Sequence, residues 1–305
     1  MIRIALAFVL KCIIAVGLLF IVVPLALMAW VPRVVTVAKL TGRCDCSWIE
    51  MARMEPFRTS IVSARENIAR NHRMLAQEGE LGLWDVPGAR PFWIRGAFTE
   101  SNAVAFSEQV ADNYRHERVH VRPGDIVLDC GADYGGVTWK ALESGASKVV
   151  AIEIDPGKIA CLNRTFAKEI AAGRVVVVPM GLWDREDTLE LDGDSVVMGR
   201  TSRKTRVKVD RMDRIVGDLG LPRVDFIAMD IEGAEKPALR GGSETLRRFA
   251  PRMAIAAEHL PDDTTAIPAL IRELAPGRHE VIGGRCDLVG ERIAPTVLFF
   301  EPKGS

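Results

Sequence analysis

IVLDCGADYGGVTWKALESGASKVVAIE, residues 126–153, is the stretch from which the fold is read. A short apolar run ends at Asp129, Gly131 and Gly135 follow, and a helical stretch leads to a second apolar run that closes on Glu153. Glycine tolerates a sharp turn and lets the main chain approach a ligand closely. Glu153 lies 22 residues beyond Gly131, near the spacing at which a carboxylate ending a second strand meets ribose hydroxyls. The nicotinamide-type G-x-G-x-x-G is absent, and D-x-G-x-x-x-G stands from Asp129 to Gly135 in its place. Strand, glycine turn, helix and acid together imply a nucleotide-type cofactor.

Outward from this unit the elements alternate. Strands are expected at 126–129, 149–153, 175–179, 224–230, 253–258 and 296–300, with helices at about 138–144, 156–170 and 234–249. Such alternation predicts an α/β fold, doubly wound, with a mostly parallel Rossmann-like sheet and helices on both faces. Ligands then bind at the carboxyl ends of the strands. Residues 189–191 and 206–209 read as an insertion hairpin, and 286–300 as a region that adds an antiparallel strand.

Val224 to Glu235, VDFIAMDIEGAE, is a further apolar strand followed by carboxylates at Asp230, Glu232 and Glu235. Together with DCGADYGGVTW, VVAIEIDP, Leu162-Asn163 and PRMAIAAEH ending at His259, this block resembles the FkbM family of S-adenosylmethionine-dependent methyltransferases. The resemblance runs from about Pro123 to His259 and more loosely to Pro302. It implies a class I methyltransferase fold, S-adenosylmethionine as cofactor and transfer to a hydroxyl oxygen. Asp133 stands where the family usually has Asn, and Ala228 where it usually has Lys. These two positions leave open an alternative, a membrane-anchored binding or interaction protein on a degenerate, non-catalytic methyltransferase fold.

Under that resemblance the cofactor set is Asp129, Gly131, Asp133, Gly135, Glu153, Gly181, Leu182 and Asp230. Asp129 or Asp133 would hold the α-ammonium group, Glu153 the ribose hydroxyls, and Gly181-Leu182 the adenine, with Trp183 close by. An aliphatic hydroxyl is a poor nucleophile until a base takes its proton or a metal meets its oxygen. His259 has the pKa range for that base, and Asp230 and Glu232 would orient the acceptor. Two carboxylates could also hold a divalent ion, but no metal is assigned from sequence. Glu235, just inside a helix start, reads as a favourable N-terminal charge.

Cys12 to Val31 is a run of twenty residues without a charge, long enough to cross a bilayer as a helix. The expected organisation is a membrane anchor at 1–44 (span about 12–31), a helical and hairpin lead-in at 45–116, and the methyltransferase domain at 117–305. The lead-in is expected to hold an amphipathic helix with Phe57, Ile61, Ala64, Ile68 and Leu75 on one face, a hairpin at 81–94 and a helix at 107–116. Formal net charge is zero, which gives no electrostatic reason to expect nucleic acid, although residues 1–78 carry ten Lys/Arg against five acids. Cytosolic supply of the cofactor and the positive charges after the span favour a catalytic domain on the cytoplasmic side. The six cysteines show no disulfide framework, and Cys44 and Cys46 read as plain thiols. The acceptor is expected to be a small or glycolipid-like hydroxyl compound.

Overall fold

The computed structural model describes residues 38–192 and 204–304. The expected span at 12–31 lies outside them, and among the described residues no helix is long and apolar enough to cross a membrane. The chain runs α1 (Trp48–Asn71), β1 (Arg73–Glu78), β2 (Leu81–Asp85), β3 (Phe92–Arg95) and α2 (Glu100–Val110) before the central sheet begins. There follow β4 (Ile126–Cys130), α3 (Gly136–Glu143), β5 (Lys148–Glu153), α4 (Pro156–Thr165), α5 (Ala167–Ala171) and β6 (Val175–Pro179). The insertion comprises β7 (Gly181–Leu182), β8 (Asp187–Asp192) and β9 (Lys204–Asp210). Then come α6 (Met212–Asp218), β10 (Phe226–Met229), α7 (Glu235–Gly241), α8 (Ser243–Phe249) and β11 (Arg252–Ala256). The chain ends with α9 (Asp263–Leu274), β12 (His279–Val289) and β13 (Arg292–Pro302).

Seven strands form one sheet in the order β12-β13-β11-β10-β4-β5-β6. β4, β5, β6, β10 and β11 are parallel, and β13 is antiparallel to both of its neighbours. The parallel strands are continuous apolar runs because both faces are covered. Ile126, Leu128 and Cys130 pack on one side with Met212, Leu239, Leu246 and Ile267. Val127 packs on the other with Trp139, Leu162 and Phe166. Strand order reverses beside β4, which opens a crevice past the carboxyl ends of β4 and β10. Cys130 pairs with Met229 on one side and Ile152 on the other, so Gly131, Asp230 and Glu153 all emerge on one rim.

The expected insertion hairpin is present, with Leu189 opposite Val207. Two expected helices are each split. The 156–170 helix breaks at Phe166, whose side chain is fully buried, and the 234–249 helix breaks at Gly242, where a Cβ would stand 2.7 Å from Met212 Sδ. In the lead-in, the helix runs from Trp48 and stops before His72, so Leu75 lies on β1 and is exposed. The helix expected at 107–116 instead spans Glu100–Val110, started by a Thr99–Asn102 capping box. The lead-in shares the core of the central sheet, since Ile68, Phe92, Ile94 and Phe106 are buried with Val127 and Trp139.

The reading of Cys46 as a plain thiol is corrected. Cys46 is bonded to Cys286 on β12, 240 residues away, with a Cα separation of 6.5 Å. Two cysteines so distant in sequence leave no local spacing pattern from which to read the pair. Cys44, Met51, Met54 and Ile293 bury the bond from both chain ends.

At the opposite ends of the strands, Arg252 donates to both oxygens of Asp125 at 2.9 and 2.8 Å, with each side chain only 9% exposed. Removing one partner leaves the other charge buried. Arg252→Ala is therefore expected to cost about 3–5 kcal/mol in urea unfolding; a loss below about 1 kcal/mol would show that the pair is dispensable.

Candidate functional site

The crevice is a cavity of about 690 Å³, within the size range of small-molecule sites. At one end lies Glu153, buried, with Oε1 accepting from the Ile154 and Asp155 N–H groups and Oε2 from the Asp133 N–H, each at 2.8 Å. A carboxylate has about four acceptor positions, so one remains for a ligand hydroxyl in this arrangement. Burial raises the Glu153 pKa, with the backbone hydrogen bonds opposing it.

The other motif residues divide by role. Asp129 is buried and its Oδ2 accepts the Thr138 hydroxyl at 2.6 Å, so one oxygen anchors the start of α3. Burial lifts its pKa to about 7, against the Thr138 bonds. Asp133, at φ 48°, pairs with Lys158 Nζ at 2.8 Å. Both aspartates expected to meet an ammonium group thus already have partners in the fold. A Cβ on Gly131 would stand 1.8 Å from the Asp230 carbonyl oxygen, and one on Gly135 2.3 Å from the Phe166 ring. Both glycines, at φ 89° and 93°, are required by packing before any ligand is considered. Gly181 and Leu182 border the cavity, with Leu182 also in the core. Trp183 borders it too and packs against Val207 and Val209.

At the other end, Asp230, Glu232 and His259 converge. His259 Nε2 lies 3.4 Å from Asp230 Oδ1 and 3.5 Å from Glu232 Oε2. His259 Nδ1 is 3.1 Å from Glu235 Oε1, which also accepts the Ile231 N–H at 3.0 Å. Asp230 Oδ2 accepts the Tyr114 hydroxyl at 2.6 Å. Burial alone would lower the His259 pKa, but the Glu235 hydrogen bond and the charges of Glu235, Asp230 and Glu232 raise it to about 9. The expected base thus sits among three carboxylates, which favour its protonated form. Its neighbours were visible in sequence; their convergence on one ring was not.

Sequence reasoning missed three contributors. Glu235, in the first turn of α7 as expected, is also a buried buttress of His259. Tyr114, from the turn after α2, holds Asp230. Glu108, on α2, borders the cavity, and burial followed by the charges of Asp230 and Glu258 raises it to about 7. Glu258 rises to about 6, again through burial and then Asp230. Nothing in the local pattern of α2 marks Glu108, because its chemistry comes from a strand end more than a hundred residues later.

The family model of the methyltransferase FkbM domain matches residues 129–275. This segment is an FkbM methyltransferase domain. Among solved structures, the chain is similar to the methyltransferase FkbM from Methylobacillus flagellatus KT, at 20% identity over 79% of this chain and 58% of that one, with a TM-score of 0.46. It is also similar to Trm5b from Pyrococcus abyssi, at 16% identity over 75% of this chain and 58% of that one, with a TM-score of 0.43. The chain thus spans 58% of the length of each of these two proteins. No curated protein matches it.

Gly131→Ala tests the packing of this rim. Clash with the Asp230 carbonyl and the left-handed backbone are expected to lower stability by about 2 kcal/mol or more. Thermal unfolding unchanged from wild type would contradict the geometry.

Proposed function

We propose that the chain uses S-adenosylmethionine to methylate a hydroxyl of a sugar-like or lipid-linked acceptor, at a membrane to which residues 12–31 anchor it. One observation carries the reading: Glu153 and the Asp230–Glu232–His259 cluster border the same cavity in an FkbM methyltransferase domain. The residues fit the cofactor. Glu153 keeps an acceptor position for a ribose hydroxyl, Leu182 supplies an apolar wall for adenine, and Lys158 with Asp133 offers charges to an amino-acid moiety.

The cofactor supplies an electrophilic methyl group on a sulfonium. The chain's part is alignment and proton removal, and alignment contributes much of the rate in an in-line displacement. Asp230 and Glu232 orient acceptor hydroxyls at the end of the cavity away from Glu153. His259, fixed by Glu235, faces these carboxylates. The departing hydroxyl proton goes to a carboxylate, and Glu108 and Glu258, which titrate near neutrality, are placed to take it. The methyltransferase domain lies on the cytoplasmic side, where S-adenosylmethionine is made and kept.

Calorimetry on the full-length chain should give one site for S-adenosylmethionine and S-adenosylhomocysteine, weakened tenfold or more by Glu153→Ala. Binding of NAD with none of S-adenosylmethionine would overturn the assignment. In cell membranes, the chain should stay in the pellet after alkaline carbonate extraction, and methyl label from S-adenosylmethionine should enter lipid or glycan. Release of the chain would remove the anchor, and label confined to protein side chains would remove the acceptor class.

A further inference from the structure

Asp230 and Glu232 leave the end of β10 and His259 leaves the end of β11, and their ligating atoms all lie within 4.8 Å of one another. The Nε2–oxygen separations of 3.4 and 3.5 Å are long for hydrogen bonds. They suit ligands of one ion: tetrahedral ligands about 2.1 Å from a metal stand roughly 3.4 Å apart. The ring is already oriented for that task. Glu235, 1% exposed, takes Nδ1 and turns Nε2 toward the two carboxylates, the outer-sphere arrangement that metal-binding histidines use.

A separate observation points the same way. Asp230 Oδ1, a carboxylate oxygen of this cluster, is buried and has no hydrogen-bond partner among the described residues. A buried carboxylate oxygen without a donor is costly, and a cation is the natural partner. The surroundings are acidic as well, with Glu108 and Glu258 bordering the same end of the cavity.

We propose that Asp230, Glu232 and His259 bind one divalent first-row metal ion at the acceptor end of the cavity, with Glu235 orienting His259. Two carboxylates neutralise the ion, and its remaining positions face the cavity, open to water or to an acceptor oxygen. The mixed oxygen and imidazole set suits manganese or zinc better than calcium. The ion's use in catalysis, polarising the acceptor hydroxyl, rests on the methyltransferase reading; its binding does not.

Mn²⁺ alone, titrated into the metal-stripped full-length chain and followed by electron paramagnetic resonance, tests the site. One ion per chain is expected, displaced by Zn²⁺. Glu232→Gln and His259→Ala should each weaken it at least tenfold. Glu232 is more than half exposed, so its substitution spares the fold. No Mn²⁺ bound by folded wild-type protein, or equal binding by both variants, would overturn the proposal. S-adenosylmethionine calorimetry on the same samples separates the two readings. Cofactor binding without Mn²⁺ binding sinks the metal alone. Mn²⁺ binding lost in the variants, without cofactor binding, leaves the metal site standing and sinks the methyltransferase reading.

Discussion

The contact between Glu235 and His259 ties the turn after β10 to the end of β11, and the carboxylate–histidine end of the cavity depends on it. Glu235 is almost wholly buried, and a buried carboxylate costs several kcal/mol unless paired. The imidazole and the Ile231 N–H offset that cost. In the same stroke they fix the ring plane, and so the direction in which Nε2 faces Asp230 and Glu232. The turn itself is tight, with Glu232 at φ 55° and Gly233 at φ 95°. Strain in a non-glycine residue at a strand end persists where surrounding contacts hold it, and here those contacts are the ones that assemble the site.

The two ends of the cavity differ in how they are built. At the Glu153 end, backbone N–H groups hold the carboxylate, so its position follows from the path of the chain between Glu153 and Asp155 and at Asp133. At the His259 end, side chains hold one another across three elements, with Tyr114 and Glu108 arriving from the lead-in. The lead-in is therefore part of the site rather than a spacer. It shares the buried face containing Val127 and Phe226, and it is joined to β12 through Cys46 and Cys286.

Much of this was legible in the sequence, and the limits have physical causes. The parallel strands were readable because burial on both faces leaves uninterrupted apolar runs such as Ile126 to Leu128. Glu153 was readable because its place depends on one strand–helix–strand unit and its length. Gly131 and Gly135 were read from the turn they allow, and the fold adds a second reason: the Asp230 carbonyl and the Phe166 ring leave no room for a side chain there. His259 was named, but not the gathering of carboxylates around it that raises its proton affinity. A histidine's proton affinity is set by neighbours in space, and Glu235 and Asp230 lie 24 and 29 residues earlier. Glu108 and the Cys46–Cys286 pair escaped for the same reason, because each acquires its meaning from a contact that only the folded sheet creates.

The central claim is that cofactor and acceptor chemistry meet in this single cavity, across the rim formed by β4, β5 and β10. A structure of the full-length chain with S-adenosylhomocysteine bound is the most direct measurement. The account predicts a ribose hydroxyl on Glu153, adenine beside Leu182, and the sulfur turned toward Asp230, Glu232 and His259. A nucleoside bound outside this cavity, or a sulfur facing away from that cluster, would contradict it.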